Sequence, residues 1–271
     1  MFFFMSGYGL KRKYGNVVPR KFQFIVWHYL KLLLLAAPVI ILSNILVKTS
    51  FFHIVGQLTF LNHIFAYEFI RPHSFWFIRT AFEFYILYAI ILHRINPKIL
   101  LGIGFITTCC LYFFSWSTVE MLKYYFIGWL LEFSLGVFVA QNGQYVKYIE
   151  NVWASIILFA LMMFTSVNGQ SWLFSTSVAI LFFLSIKRYI TCRLIVFLGS
   201  ISALLYATHT AVRNVWDYID SSIDYMDGNL LLIFGSISGY FILCVITAVL
   251  YGKYYKKAVS FLKSKLKITD N

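Results

Sequence analysis

A chain of 271 residues that is 61% hydrophobic, 20% aromatic and only 12% charged is not a soluble globular domain, in which about a quarter of residues are charged. Its mean hydropathy of +0.77 describes an integral membrane protein, with apolar runs long enough to span recurring along its length. The net charge of +13 invites a nucleic-acid reading, but most of it lies in short loops between apolar runs, where it is a topology signal and excludes nucleic acid as the expected partner.

Residues 1–10, MFFFMSGYGL, are apolar but too short to span, and lack the charged start and small-residue cleavage site of a signal peptide. Lys11, Arg12, Lys13, Arg20 and Lys21 make a basic loop. Apolar runs follow at about 25–47, 75–92, 99–115, 121–140, 152–167, 172–186, 194–214 and 230–252. Each is around the length a membrane helix needs. The expected fold is therefore an all-α polytopic transmembrane bundle, about eight full spans plus a short N-terminal helix, over residues 1–252, with a basic tail at 253–271. Residues 51–72 carry polar residues every few positions and read as a loop with a short re-entrant or interfacial helix.

Alternate loops repeat the basic bias of the first: Arg94 and Lys98, then Lys147, then Lys187, Arg188 and Arg193, then the lysine-rich tail. Loops of that kind face the cytoplasm, which puts the C-terminus there, its lysines against anionic lipid headgroups. The opposite loops hold Lys48, Arg71, His53, His63 and His73, and an acidic stretch with Asp217, Asp220, Asp224 and Asp227.

Ionisable residues inside spans are costly, so they mark function by default. Arg79 and Glu83 lie four apart within 73–92, one turn apart on one helix face. His209 and Arg213 repeat that spacing in 194–214, at a similar depth on the outer side. If the two helices are neighbours, the four side chains line one cavity. A neutral His209 would then accept a proton, while the guanidinium groups hold anionic groups or stabilise developing negative charge. The plainer reading makes Arg79 and Glu83 an ion pair that fixes helix packing, His209 an interhelical hydrogen-bonding residue and Arg213 a snorkelling cation. Glu132 has a basic partner within reach only by interhelical contact, and Glu120 and Lys123, at the outer end of the same helix, read as solvated. His28 and Lys31, near the cytoplasmic end of their helix, either snorkel or contact a phosphate-bearing substrate. The four cysteines show no metal or redox spacing, and no dinucleotide, P-loop, zinc-protease or serine-hydrolase motif occurs.

Four segments, in order, resemble the membrane-bound acyltransferase-3 family, which includes O-acetyltransferases of bacterial surface polysaccharides. FFFMSGYGL at 2–10 is similar to its FF-x-x-SG-[FY] signature, and SFWFIRTAFEFYILYAII at 74–91 to its WFL-x-x-x-x-x-x-Y block. FIGWLLEFSLGVFVA at 126–140 resembles its F-x-x-G-x-x-x-A segment, and FLGSISALLYATHTAV at 197–212 its LG-x-x-S-x-x-x-Y-x-x-H segment. The resemblance implies transfer of an acyl group, usually acetyl, from acyl-CoA on the cytoplasmic side to a hydroxyl of a glycan or lipid-linked sugar. Acyl-CoA is then a co-substrate, no cofactor stays bound, and the setting is a bacterial plasma membrane.

Ser6, Gly7, Trp76, Tyr85, Gly199, Ser202, Tyr206 and His209 carry over by position. The expected site then has His209, Glu83 and Arg79 as catalytic residues, and Arg213, Trp76, Tyr85, His73 and Tyr206 as contacts for the acceptor. Lys31 and His28 would be contacts for acyl-CoA. Two features depart from the family. Its first helix, with an Arg and the His usually taken as catalytic, would precede Phe2, and its paired-Arg motif has only His28 with Lys31 as a loose substitute. The expectation that follows is an N-terminally truncated copy with impaired activity. The rival reading is a transporter or flippase subunit for glycan precursors, since intramembrane charges also mark substrate pathways; against it, the halves show no internal repeat.

Overall fold

A computed structural model describes residues 2–47, 51–59, 76–114, 125–167, 171–187, 189, 193–220 and 230–266. Helices dominate, and no strand occurs among these residues. They are α1 (Phe2–Tyr14), α2 (Lys21–Val47), α3 (Phe51–Thr59), α4 (Trp76–Ile90), α5 (Pro97–Tyr112), α6 (Leu130–Asn142), α7 (Val152–Val167), α8 (Trp172–Ile186), α9 (Arg193–Asp220) and α10 (Leu230–Lys265). Short 3-10 turns at Leu92–Arg94, Phe126–Trp129 and Gly143–Tyr148 join several of them. The short helix expected within 51–72 is α3; residues 60–72 lie outside the described residues, as do His73, Glu120, Lys123, Asp224 and Asp227.

Of the eight expected spans, the described residues bear out a part. Among the described residues, α2 over Lys21–Ile41 and α10 over Leu232–Lys265 are long and apolar enough to cross a membrane. A third span exists if Phe126–Tyr148 and Val152–Val167, bent by 118° at their junction, count as one. Among the helices bounded on both sides by described residues, α5 has 16 residues and α8 has 15, so each reaches about 22–24 Å against a hydrocarbon core of about 30 Å.

The chain divides into two compact units, Met1–His28 with Trp76–Cys192, and Tyr29–Phe75 with Arg193–Asn271. In the first, α1 packs backbone to backbone on α6. A Cβ on Gly7 would overlap the Phe133 carbonyl, and one on Gly136 would overlap that of Phe4. Such close approach by small residues is how helices associate where no hydrophobic driving force separates them from lipid. Phe84 stacks on Phe133 at 4.3 Å, beside the buried Phe3 and Tyr88. Helix α1 stops at Gly15, whose φ of 59° suits the left-handed residue that ends a helix. Its amide donates to the Lys11 carbonyl at 2.9 Å, and its own carbonyl accepts the Tyr88 hydroxyl at 2.9 Å. Helices α7 and α8 form a hairpin tied by Ser155 to Ser185 at 2.9 Å and Ser166 to Ser175 at 2.8 Å.

In the second unit, α9 lies along α10. Trp216 Nε1 donates to Ser236 at 3.1 Å, and its ring covers Gly239, where a Cβ would come within 2.7 Å. Pro38 sits inside α2 and has no N–H to give to the carbonyl four residues back. That carbonyl, of Leu34, instead accepts the Tyr251 hydroxyl at 2.7 Å, which also reaches the Leu35 carbonyl at 3.1 Å. Substitution of a helical donor by a neighbouring helix is what makes proline tolerable at membrane depth. The basic stretch that begins at Lys253 continues α10 without a break as far as Lys265.

Candidate functional site

Helix α4 presents Arg79 and Glu83 on one face, as their spacing requires. Arg79 Nε lies 3.3 Å from Glu83 Oε1, with the side chains 12% and 25% exposed. The second carboxylate oxygen accepts the Phe126 N–H at 3.2 Å. Phe126 opens a 3-10 turn, so its amide is one of the orphan donors that a helix start leaves unsatisfied. Glu83 caps that turn from another helix. The Arg79 guanidinium lies over the Tyr125 ring, 5.1 Å from its centre, a cation–π contact. Trp76, one turn before Arg79, stacks on Trp129 at 5.3 Å, and Phe3 packs on both. The result is a half-buried ion pair walled by aromatic rings, with one end of the carboxylate fixed by a backbone amide.

Beside it, the first unit holds a second polar group. Tyr85, next to Phe84 on α4, is hydrogen-bonded to the Ser6 side chain. The His28 ring packs against Tyr85 at 4.6 Å and Phe24 at 4.0 Å. His28 is 5% exposed, and its Nδ1 lies 2.8 Å from the Phe24 carbonyl. A carbonyl only accepts, so Nδ1 carries the proton and Nε2 is the acceptor nitrogen of the neutral ring. His28 thus belongs to the core of this unit; Lys31, one turn on in α2, falls in the other unit, where its carbonyl accepts the Tyr255 hydroxyl at 3.4 Å.

His209 and Arg213 lie on α9, in the second unit. His209 Nδ1 donates to the Tyr206 carbonyl, and the two rings pack at 5.0 Å. The His209 carbonyl accepts the Tyr240 hydroxyl at 3.4 Å. Arg213 is exposed. Gly199 has open space where a Cβ would lie, and the Ser202 hydroxyl donates to the Gly199 carbonyl at 2.9 Å.

Among the residues that the sequence singles out, the structure brings together Arg79 with Glu83, Ser6 with Tyr85, and Tyr206 with His209. The sequence reading misses Tyr125, the Phe126 amide and Trp129, which complete the ion-pair site. Their signal lies in YFIGW, where Gly128 and three bulky aromatics disfavour a regular helix start. Glu132, three residues after Trp129, is 2% exposed within α6. Among the described residues, no cluster of three His, Cys, Asp or Glu has the arrangement to hold a metal. No family model, no curated protein and no solved structure matches this chain.

Proposed function

We propose that this chain is an integral membrane O-acyltransferase of a bacterial plasma membrane. It would move an acyl group, acetyl in the first instance, from acyl-CoA to a hydroxyl of a surface glycan or lipid-linked sugar. In this reading the helices make a polytopic bundle of about eight spans plus α1, with the C-terminus cytoplasmic. The observation that carries the proposal is that three of the four segments resembling the acyltransferase-3 family pack on one another within one unit. Ser6 of 2–10 bonds Tyr85 of 74–91. Gly7 meets Phe133 of 126–140, and Glu83 of 74–91 caps Phe126. Segments that form one site have this reason to occur together.

Acyl transfer needs a base for the attacking hydroxyl, a positive or hydrogen-bonding group for the thioester oxygen as negative charge develops on it, and release of the CoA thiolate with a proton. Each unit offers a group of this kind: in the second, His209 has Nε2 for a base, since Nδ1 is committed to the Tyr206 carbonyl, and in the first, Arg79 is a cation whose orientation Glu83 fixes. Trp76 and Tyr85 bring the flat apolar faces and hydroxyl suited to a sugar ring. Arg213, exposed near the end of α9, suits an anionic part of the acceptor.

The test is O-acetyl content of surface polysaccharide in cells lacking the gene and complemented with this chain, together with acyl-CoA turnover by the purified protein. Loss of both with Arg79→Ala and with His209→Ala, at unchanged protein level, is the expected result. Movement of a lipid-linked glycan across vesicles without CoA release would replace the proposal by the transporter reading.

A further inference from the structure

Helices α5, α6 and α8 leave a cavity of about 620 Å³ between them, walled by Leu101, Phe105, Leu135, Val178 and Leu181 among others, a volume in the range of small-molecule sites. Two of its features are not apolar. Lys98 stands at one end, its Nζ over the Tyr145 ring at 5.7 Å, in the first turn of α5. There Asn96 caps the Lys98 amide at 2.9 Å, and the positive end of the helix dipole adds to the charge. The other is Ser177, which lines the cavity, is 5% exposed, and whose buried hydroxyl has no hydrogen-bond partner among the described residues.

Ser177 differs in this from other helical hydroxyls of the same unit. Thr108, Ser134, Ser155, Thr165 and Ser185 each donate to a carbonyl three or four residues back, the usual outlet for a hydroxyl in an apolar helix. A buried hydroxyl without an acceptor is costly unless a ligand supplies one.

The cavity has a direction. Lys98 touches Tyr145, and Lys187 at the end of α8 pairs with Glu150 at 2.6 Å, so the start of α5, the 145–150 segment and the end of α8 meet at one basic end. From there to Phe105 on α5, or from Leu184 back to Ser177 on α8, is seven residues, roughly 10 Å of helix.

We propose that this cavity is a binding site for one anionic phospholipid, its phosphate at Lys98, one acyl chain along the apolar wall, and an ester carbonyl accepting the Ser177 hydroxyl. The site rests on the membrane character of the chain and is independent of the acyltransferase reading. Charge complementarity selects the occupant: an apolar groove alone takes any lipid tail, whereas a lysine at its basic end favours a headgroup with net negative charge.

The experiment is native mass spectrometry of the purified protein with phosphatidylglycerol, phosphatidylcholine, and the diether analogue of phosphatidylglycerol, which has no ester carbonyl. Wild type is expected to retain one phosphatidylglycerol about fivefold better than phosphatidylcholine, and Lys98→Ala to remove that preference. Ser177→Ala should weaken the ester lipid to the level of the diether lipid and leave the diether lipid unchanged. Gly102 lines the cavity and a Cβ there meets nothing, so Gly102→Trp can direct its ring into the groove and should abolish retention at an unchanged unfolding temperature. Equal retention of the two headgroups, or retention unaltered by Gly102→Trp, would overturn the proposal; so would wild type holding ester and diether lipids alike.

Discussion

Tyr251→Phe removes one hydroxyl, and its cost should depend on a proline that is far away in sequence. In the native chain the Leu34 carbonyl has lost its helical donor to Pro38 and takes the Tyr251 hydroxyl at 2.7 Å instead. Leaving a buried acceptor unsatisfied costs about 1–3 kcal/mol, so Tyr251→Phe should destabilise by about that amount. In a Pro38→Ala background the alanine N–H restores the helical bond to Leu34, and the tyrosine becomes redundant there. The same substitution should then cost less than about 1 kcal/mol, what remains being the weaker bond to Leu35 at 3.1 Å. The coupling between the two sites is therefore about 1–2 kcal/mol, within the range that double-mutant cycles resolve. At about 2–4 °C per kcal/mol for a chain of this size, thermal unfolding in detergent of the four proteins separates the cases. Equal losses from Tyr251→Phe in both backgrounds would refute the account.

Gly136→Ala and Gly102→Ala make a matched pair of helical glycines. Each gains about 1 kcal/mol of helix propensity, but at Gly136 the new methyl overlaps the Phe4 backbone while at Gly102 it meets nothing. The first should be less stable than the second by about 1–3 kcal/mol, read as unfolding temperature; a null difference would mean that α1 does not approach α6 so closely. Lys187 and Glu150 lie 2.6 Å apart, yet Lys187 is 54% exposed, so Glu150→Gln should cost less than about 1 kcal/mol and lose its effect at high salt. Ser6→Ala and Tyr85→Phe should each cost about 0.5–1.5 kcal/mol, with the double variant costing little more than either, because both remove the same hydrogen bond.

The helices were legible because apolar runs and their breaks are local properties. The run at 172–186 matches α8, the run at 152–167 is helical throughout as α7, and the one at 25–47 lies within α2. Where the expectation went astray, a non-local term was at work. The run at 121–140 reads as one helix, but its described part opens with a 3-10 turn at Phe126–Trp129 whose first amide is held by Glu83 from another helix. Hydropathy counts apolar residues and is blind to such a cap. Composition likewise does not fix where a helix of 16 residues such as α5 stops. The ion pair was visible as spacing alone, whereas the Tyr125 and Trp129 walls depend on tertiary packing.

Glu83 can be a structural cap, a catalytic positioning residue, or both, and its two oxygens allow the roles to be separated. Oε2 holds the Phe126 amide and Oε1 holds Arg79. Glu83→Gln keeps a carbonyl oxygen for the amide and loses the charge that orients the guanidinium. Glu83→Ala loses both and leaves Arg79 half-buried beside no carboxylate. Breaking a pair with this exposure should cost about 1–3 kcal/mol, between the surface and buried limits, so Ala should be less stable than Gln by the value of the cap, about 1 kcal/mol. If Glu83 serves packing alone, acyl-CoA turnover per folded molecule should be the same in Gln and wild type, whatever the loss in stability. If it positions Arg79 for chemistry, turnover per folded molecule should fall at least tenfold in Gln. An activity loss that merely tracks unfolding across both variants would leave Arg79 and Glu83 as a packing device and remove them from the proposed mechanism.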